Sequence, residues 1–233
     1  MKTATINTDP NAGNSCNTYW RGGYSLSRRL PKMSRRKEFE GRIRFYTAED
    51  EKEILGWFTH IGKQDHYEAV IVLVDTGFRP RELWGCRAEN VNRLNQTITL
   101  WKTKTGKPRT IPMTDRVRDI ILRRCAEYPQ GQLFPGSSNA WMRHAWDRVR
   151  ALMGKMDDPE FIPYGLRHTC CSRLVQRGVP LTRVMAWMGH TSIQTTMRYA
   201  HLAPHDLFTL AQVLNGGDDT RWHNVEADNA LLQ

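Results

Sequence analysis

The sequence contains no run of about 18 or more apolar residues, so no membrane-spanning helix is expected. Its first twenty residues, "MKTATINTDPNAGNSCNTYW", have no apolar core of the kind a secretory signal carries. Cysteine is scarce and odd in number, at Cys16, Cys86, Cys125, Cys170 and Cys171. Without paired spacing, and with two neighbours that a helix would point in different directions, these residues argue against a disulfide framework and a zinc site, and read as reduced core fillers. No cluster of Asp and Glu suits Mg²⁺ and no His/Cys pattern suits Zn²⁺, so neither metal nor any other cofactor is expected. An aromatic RNP-type pattern and a GXXG loop in a suitable context are both missing, which leaves an RNA-binding module with charge in its favour but no motif. There is no internal repeat.

What is abundant is positive charge. Against 24 Asp and Glu stand 34 Lys and Arg, a formal net charge of +10 over 233 residues. Such an excess calls for a polyanionic partner, and with no membrane-directed segment the partner expected is nucleic acid, in the cytoplasm.

Three parts follow from composition. Residues 1–41 are expected to be a disordered N-terminal arm, polar at first and basic later, since "RRLPKMSRRKEFEGRIR" at 28–44 is dense in Arg and Lys. That run reads either as a solvated linker or as an arm tracking a phosphate backbone. Residues 42–215 form the folded domain, and 216–233 a polar tail.

Within the domain, Thr47 and Asp50 make a capping pair ahead of a helix whose Ile54, Leu55 and Phe58 share a face. "HYEAVIVLVDTG" predicts a buried helix closed by Gly77, and Pro80 suits the first turn of the next. "QTITLW" and "RTIPM" predict two strands of a hairpin joined by "KTKTGKP". Helices resume in "TDRVRDIILRRCAEY" and "NAWMRHAWDRVRALMGK". Three short helical segments then follow, "YGLRHTCCSRLVQRG", "PLTRVMAWMGH" and "TSIQTTMRYAH", the last capped by Thr191. "HDLFTLAQVLNGG" adds a final amphipathic helix. The class is mainly α with a small antiparallel β-sheet.

The residues that carry chemistry sit at element ends. Arg79 in "TGFRPREL" follows the glycine that ends a buried helix and can fork onto two phosphate oxygens, with Glu82 fixing its orientation. The alternative is an ordinary surface ion pair. Lys102, Lys104 and Lys107 lie on or beside the hairpin, where a lysine can enter a groove and protonate a leaving oxygen. Arg167 and His168 lie near the start of a helix, whose free N–H groups favour an anion, and His190 follows Gly189. Taken together these groups suggest a phosphate site. Tyr199 would supply a nucleophile able to hold a phosphodiester as an ester while guanidinium groups neutralise the developing charge, without a metal.

In order and spacing, "TGFRPREL", "KTKTGKPRTIPM", "YGLRHT" and "MGHTSIQTTMRYAH" resemble the motifs of the tyrosine recombinases, the phage-integrase family, and the likeness covers most of the chain. The resemblance implies the catalytic-domain fold of that family and a site-specific DNA recombinase of integrase or invertase type. Arg79 and Arg167 would clamp the scissile phosphate of double-stranded DNA, and Lys104 would protonate the departing 5′ oxygen. Tyr164 takes a position where His is commoner, and a phenol is a poorer base than imidazole at neutral pH. His190 would hydrogen-bond the phosphate, and Tyr199 would form a 3′-phosphotyrosyl link.

The resemblance further implies a homo-tetramer on paired sites, exchanging C-terminal helices, and an accessory DNA-bending or directionality protein as a partner. Many family members carry a core-binding domain ahead of the catalytic one; here about forty residues precede the match. Two other readings stay open: a type IB topoisomerase-like enzyme, and a catalytically silent or helper-dependent DNA-binding regulator on the same fold.

Overall fold

The computed structural model describes residues 20–21, 24–25, 43–101, 103 and 106–204. The chain divides into two compact units, Met1–Gly41 and Arg42–Gln233. In the first, strands β1 (Trp20–Arg21) and β2 (Tyr24–Ser25) pair antiparallel. The expected disordered stretches of the arm, most of the basic run, the amphipathic segment 205–217 and the polar tail otherwise lie outside the described residues.

The second unit is a helical domain built round α2. Helix α1 (Ala48–His60) starts at a reciprocal capping box: Asp50 N–H donates to Thr47 Oγ1 at 3.0 Å, and the Asp50 carboxylate accepts from Thr47 N–H at 3.0 Å. Helix α2 (Gln64–Thr76) buries seven consecutive residues, Glu68 to Val74, which leaves that stretch no solvent face and makes it the centre of the core. Each large apolar side chain so buried contributes about 1.5–3 kcal/mol. Helix α1 supplies Ile54 and Phe58 to that core, α4 (Asp115–Glu127) supplies Val117 and Ile121, and α5 (Asn139–Leu152) supplies Trp146 and Val149. Gly77 ends α2 in the left-handed conformation at φ 65°, and α3 (Pro80–Trp84) begins three residues on with its proline in the first turn.

The sheet has three strands rather than the two expected. A 3-10 turn at Ala88–Asn90 leads into β3 (Val91–Asn92), which pairs with β4 (Thr97–Leu100) on the side away from β5 (Arg109–Pro112). All pairings are antiparallel, with Ile98 opposite both Val91 and Ile111. Two residues of strand are too short to show an alternating pattern, which is why β3 was invisible in the sequence.

Helix α6 (Gly165–Gln176) packs on α2 and carries eight buried residues. Its far side joins α7 (Leu181–Met188) in a second, smaller core of Cys170, Cys171, Val175, Val184, Met188 and Tyr199. Helix α8 (Ile193–Met197) closes the described domain with a 3-10 turn at Ala200–Leu202. Its cap is Ser192, whose hydroxyl accepts from Gln194 N–H at 3.2 Å, not the expected Thr191 one residue earlier. Four of the cysteines, Cys86, Cys125, Cys170 and Cys171, are buried free thiols. No helix among the described residues is long and apolar enough to cross a membrane.

Candidate active site

The junction after α2 places the first guanidinium. Because α2 ends at Gly77 and α3 starts at Pro80, Arg79 is held extended at the N-terminus of α3, with φ −71° and ψ 142°. Glu82, one turn on, accepts from the Arg79 backbone N–H at 2.9 Å and from its Nη1 at 2.9 Å. The same carboxylate accepts from Arg109 Nη1 at 3.2 Å and Nη2 at 2.8 Å, so it takes four N–H donors from two arginines. Burial raises the Glu82 pKa, but hydrogen bonds and charge from Arg109 and Arg79 outweigh burial and hold it below the usual carboxylate range. Glu82 is therefore ionised and fixed, and it fixes both guanidiniums.

Arg109 was not singled out from the sequence. It shares the inward face of β5 with buried Ile111, and its guanidinium lies 5.7 Å from the Phe78 ring centroid. Among the described residues its buried Nε has no hydrogen-bond partner. An arginine at an inward strand position, next to a lysine-rich hairpin, was the available signal.

Arg167 comes from the first turn of α6 and is 3% exposed. Its two terminal nitrogens donate to the carbonyls of Gly77 and Met188, which tie α6 to the ends of α2 and α7. A Cβ on Gly77 would meet Met188 Sδ at 2.7 Å, and one on Gly189, itself at φ 63°, would meet Arg109 Nη1 at 2.7 Å. Both glycines are required by their backbone conformation and by the closeness of the site packed against them. Burial, with Arg79 and Arg109 nearby, lowers the Arg167 pKa to about 10, which still leaves it charged at neutral pH.

Two imidazoles border the arginines. His190 follows Gly189, and its Nδ1 pairs with the buried Thr196 hydroxyl at 2.9 Å. Burial and then Arg167, Arg79 and Arg109 lower its pKa to about 4. His168 is next to Arg167 on α6, and its pKa is also lowered to about 4, by burial and then by Arg198 and Arg167. Both rings are neutral at physiological pH.

Tyr199 follows α8 and is 4% exposed, with its hydroxyl hydrogen-bonded to His168 Nδ1. Burial, the Cys171 thiol and Tyr164 raise its pKa, while Arg198 and Arg167 pull the other way and lose. Tyr164 stands ahead of α6 and is 42% exposed, its ring edge-on to His168 at 5.1 Å between centroids. Lys104 lies outside the described residues, as does Lys102. Arg79, Arg167, His190 and Tyr199, drawn from four separate elements, are thus brought to one place, and Arg109 and His168 join them.

The arrangement has three guanidiniums against one carboxylate, neutral imidazoles and a phenol. Such a set can bind an anion through fixed donors and present a hydroxyl nucleophile to it. Among the described residues no group of His, Cys, Asp and Glu could hold a metal ion.

Similarity to known proteins points to one family. The model of the phage integrase family matches residues 44–205. The integrase of Escherichia phage P2 is 30% identical over 166 residues, covering 69% of this chain and 46% of that protein. The tyrosine recombinase XerD of Pasteurella multocida is 30% identical over 148 residues, 58% of this chain and 50% of that one. The chain spans about half the length of these curated relatives. The catalytic domain of bacteriophage HP1 integrase superposes with a TM-score of 0.59 at 25% identity, covering 73% of this chain and 95% of that one. The Tn1549 transposon integrase in complex with transposon right end DNA gives a TM-score of 0.60 over 77% of this chain and 66% of that one; at 21% identity the likeness is one of fold.

Proposed function

The chain belongs to the phage integrase family, and from that premise we propose that it is a tyrosine-type site-specific DNA recombinase that cleaves and rejoins strands through a 3′-phosphotyrosyl intermediate. One observation carries the reading: a buried tyrosine hydroxyl lies in the field of Arg167, and Arg167 in turn neighbours Arg79 and Arg109, the two arginines that buried Glu82 keeps in position. Double-stranded DNA as substrate is supported by the net charge of +10 and by DNA-bound fold neighbours, among them XerH site-specific recombinase bound to its difH substrate.

In this reading the scissile phosphate sits between Arg79 and Arg167, with His190 donating from the ring nitrogen that Thr196 does not occupy. Attack by Tyr199 places negative charge on the non-bridging oxygens, and guanidiniums fixed in advance stabilise it without reorganising. Arg109 has no direct role beyond holding Glu82 and adding to the local field. Lys104, five residues before Arg109 in the sequence, protonates the departing 5′ oxygen. Reversal by another strand's 5′-hydroxyl rejoins the backbone with bond energy conserved. The reaction needs no metal or other cofactor. We further assign the working form to a tetramer on two paired sites in the cytoplasm, served by an accessory bending or directionality protein.

The test is covalent capture. The protein is incubated with supercoiled and sheared DNA, the reaction is stopped with detergent, and protein-linked DNA is recovered, with Tyr199→Phe in parallel. The expected result is DNA joined through Tyr199 at a reproducible position, absent from the variant although it still binds DNA. Binding by both proteins with no adduct from either would overturn the enzymatic reading in favour of a silent or helper-dependent regulator.

A further inference from the structure

A tyrosine is a weak nucleophile until its proton leaves, and burial makes that loss harder for Tyr199. Some neighbouring group has to receive the proton. Tyr164 is a phenol itself and 42% exposed, with its ring set steeply against that of His168. Burial pushes the Cys171 thiol beside Tyr199 up to about 12, so it is not available as thiolate. His190 spends its Nδ1 on Thr196. His168 is different: its Nδ1 is the atom hydrogen-bonded to the Tyr199 hydroxyl.

We propose that His168 is the catalytic base of the cleavage step, taking the Tyr199 proton on Nδ1 as the phenolic oxygen attacks phosphorus. The proposal rests on the recombinase reading above and adds a residue to it. As the Tyr199 Oη–H bond breaks, its proton passes to Nδ1 and the imidazole becomes imidazolium. The Oη–P bond forms, the P–O5′ bond breaks, and the departing oxygen is protonated by the separate acid. In the rejoining step the proton returns from Nδ1 to the phenolate of Tyr199.

The surroundings of His168 make its basicity depend on substrate. From its own helix it faces Arg167 and Tyr164, from the segment after α8 Arg198 and Tyr199, and from the end of α7 His190. Burial and the two arginines keep the free ring unprotonated down to about 4, so Nδ1 is an open acceptor at every physiological pH. A phosphodiester bound by Arg167 brings an anion into that field and cancels part of the charge that weakens the base. His168 therefore gains proton affinity when there is a phosphate to attack. Tyr164, one helical turn earlier, packs against the ring and acts as a positioning residue.

The experiment uses the full chain and the duplex recovered by covalent capture, with single-turnover adduct formation followed from about pH 6 to about pH 8. His168→Asn keeps a hydrogen-bond acceptor near Nδ1 but cannot take a proton, and His168→Gln is the second variant. The unsubstituted protein should give a flat profile. Both variants should bind the duplex as tightly as the parent, which also reports that they are folded. Both should be slower by roughly 10²-fold or more at pH 7, and gain about tenfold per pH unit as solvent replaces the base. A duplex with sulfur in place of the bridging 5′ oxygen removes the need for an acid, so it should leave the defect in place.

Variants within about threefold of the parent with a flat profile would overturn the proposal, and variants faster than the parent would make His168 a restraint on Tyr199 instead. A tenfold rise per pH unit in the unsubstituted protein would overturn it without any variant. No adduct from the unsubstituted protein would take down the recombinase reading, and this inference with it; an active parent with unaffected variants takes down the inference alone.

Discussion

The two halves of the site are built to different standards. Around the arginines nearly every group is tied twice. Glu82 receives four N–H donors, Arg167 is tied to the ends of two other helices, and glycines at two left-handed positions are packed too closely by Met188 and Arg109 to take a side chain. Tyr199, by contrast, stands just after a five-residue helix; its hydroxyl is hydrogen-bonded to His168, the Cys171 thiol lies beside it, and its ring packs in a small satellite core. The difference matches what each half has to do. Charge stabilisation works only if the donors are already in place when the charge appears, so the cradle is rigid by construction. A nucleophile that is 4% exposed has to be delivered to its substrate, so the short element bearing it has to be able to shift.

The sharpest way to break this contrast is to remove the carboxylate. Glu82→Ala leaves the partly buried guanidiniums of Arg79 and Arg109 without their buried counter-charge, and the expected loss is about 3 kcal/mol of folding stability by chemical denaturation. Should the protein lose less than about 1 kcal/mol, the cradle is not locked in the way its hydrogen bonds imply. Arg167→Lys comes next. It keeps a charge but loses the fork to the Gly77 and Met188 carbonyls, and adduct formation should fall by roughly 10²–10³-fold while duplex binding changes little.

How much of this was legible in advance follows the same division. The helices were readable because their signals are local: the Thr47–Asp50 box, Gly77 as a terminator and Pro80 as a first-turn residue all stand where the sequence placed them. Arg79, Arg167 and His190 stood out as a set of cationic or hydrogen-bonding groups at element ends, and Tyr199 as a nucleophile that such a set could serve. Arg109 was hidden because its importance lies in a bond to Glu82, 27 residues away, and spacing does not encode a tertiary ion pair. The pairing of His168 with Tyr199 spans 31 residues and was hidden for the same reason. The cap at Ser192 shows the limit at short range, where two adjacent hydroxyl residues offer the same chemistry and only the backbone path chooses between them.

Acid should expose the electrostatic coupling between the halves. His168 and His190 both have folded pKa values lowered to about 4, by burial and then by arginines, against about 6.5 in an unfolded chain. Between those values the unfolded state binds more protons. The stability contributed by the neutral rings is therefore complete above about pH 6.5 and lost progressively as pH falls toward about 4. The melting temperature should decline through that window. The two rings also separate by partner. Arg79 lowers the pKa of His190 and is not among the charges acting on His168. In a histidine NMR titration Arg79→Gln should raise the His190 pKa and leave that of His168 almost unmoved. Equal shifts in both would mean that cradle and nucleophile segment form one electrostatic unit.

The smallest effect gives the cleanest discrimination. Thr47 caps α1, packed on the main core, and Ser192 caps α8, which carries Tyr199; each hydroxyl accepts one backbone N–H near its helix start. Replacing either by Ala removes the same interaction, worth about 1 kcal/mol. In Thr47→Ala the loss should appear in the global unfolding transition with adduct formation unchanged, because α1 unfolds only with the core. In Ser192→Ala the global transition should move less, since α8 can fray while the α2-centred core stays folded. Adduct formation should then change by a few-fold, as the segment that holds Tyr199 against His168 loses its first turn. Identical behaviour of the two variants would mean that α8 is as firmly built as α1, and the contrast between a fixed cradle and a loosely held nucleophile would fail.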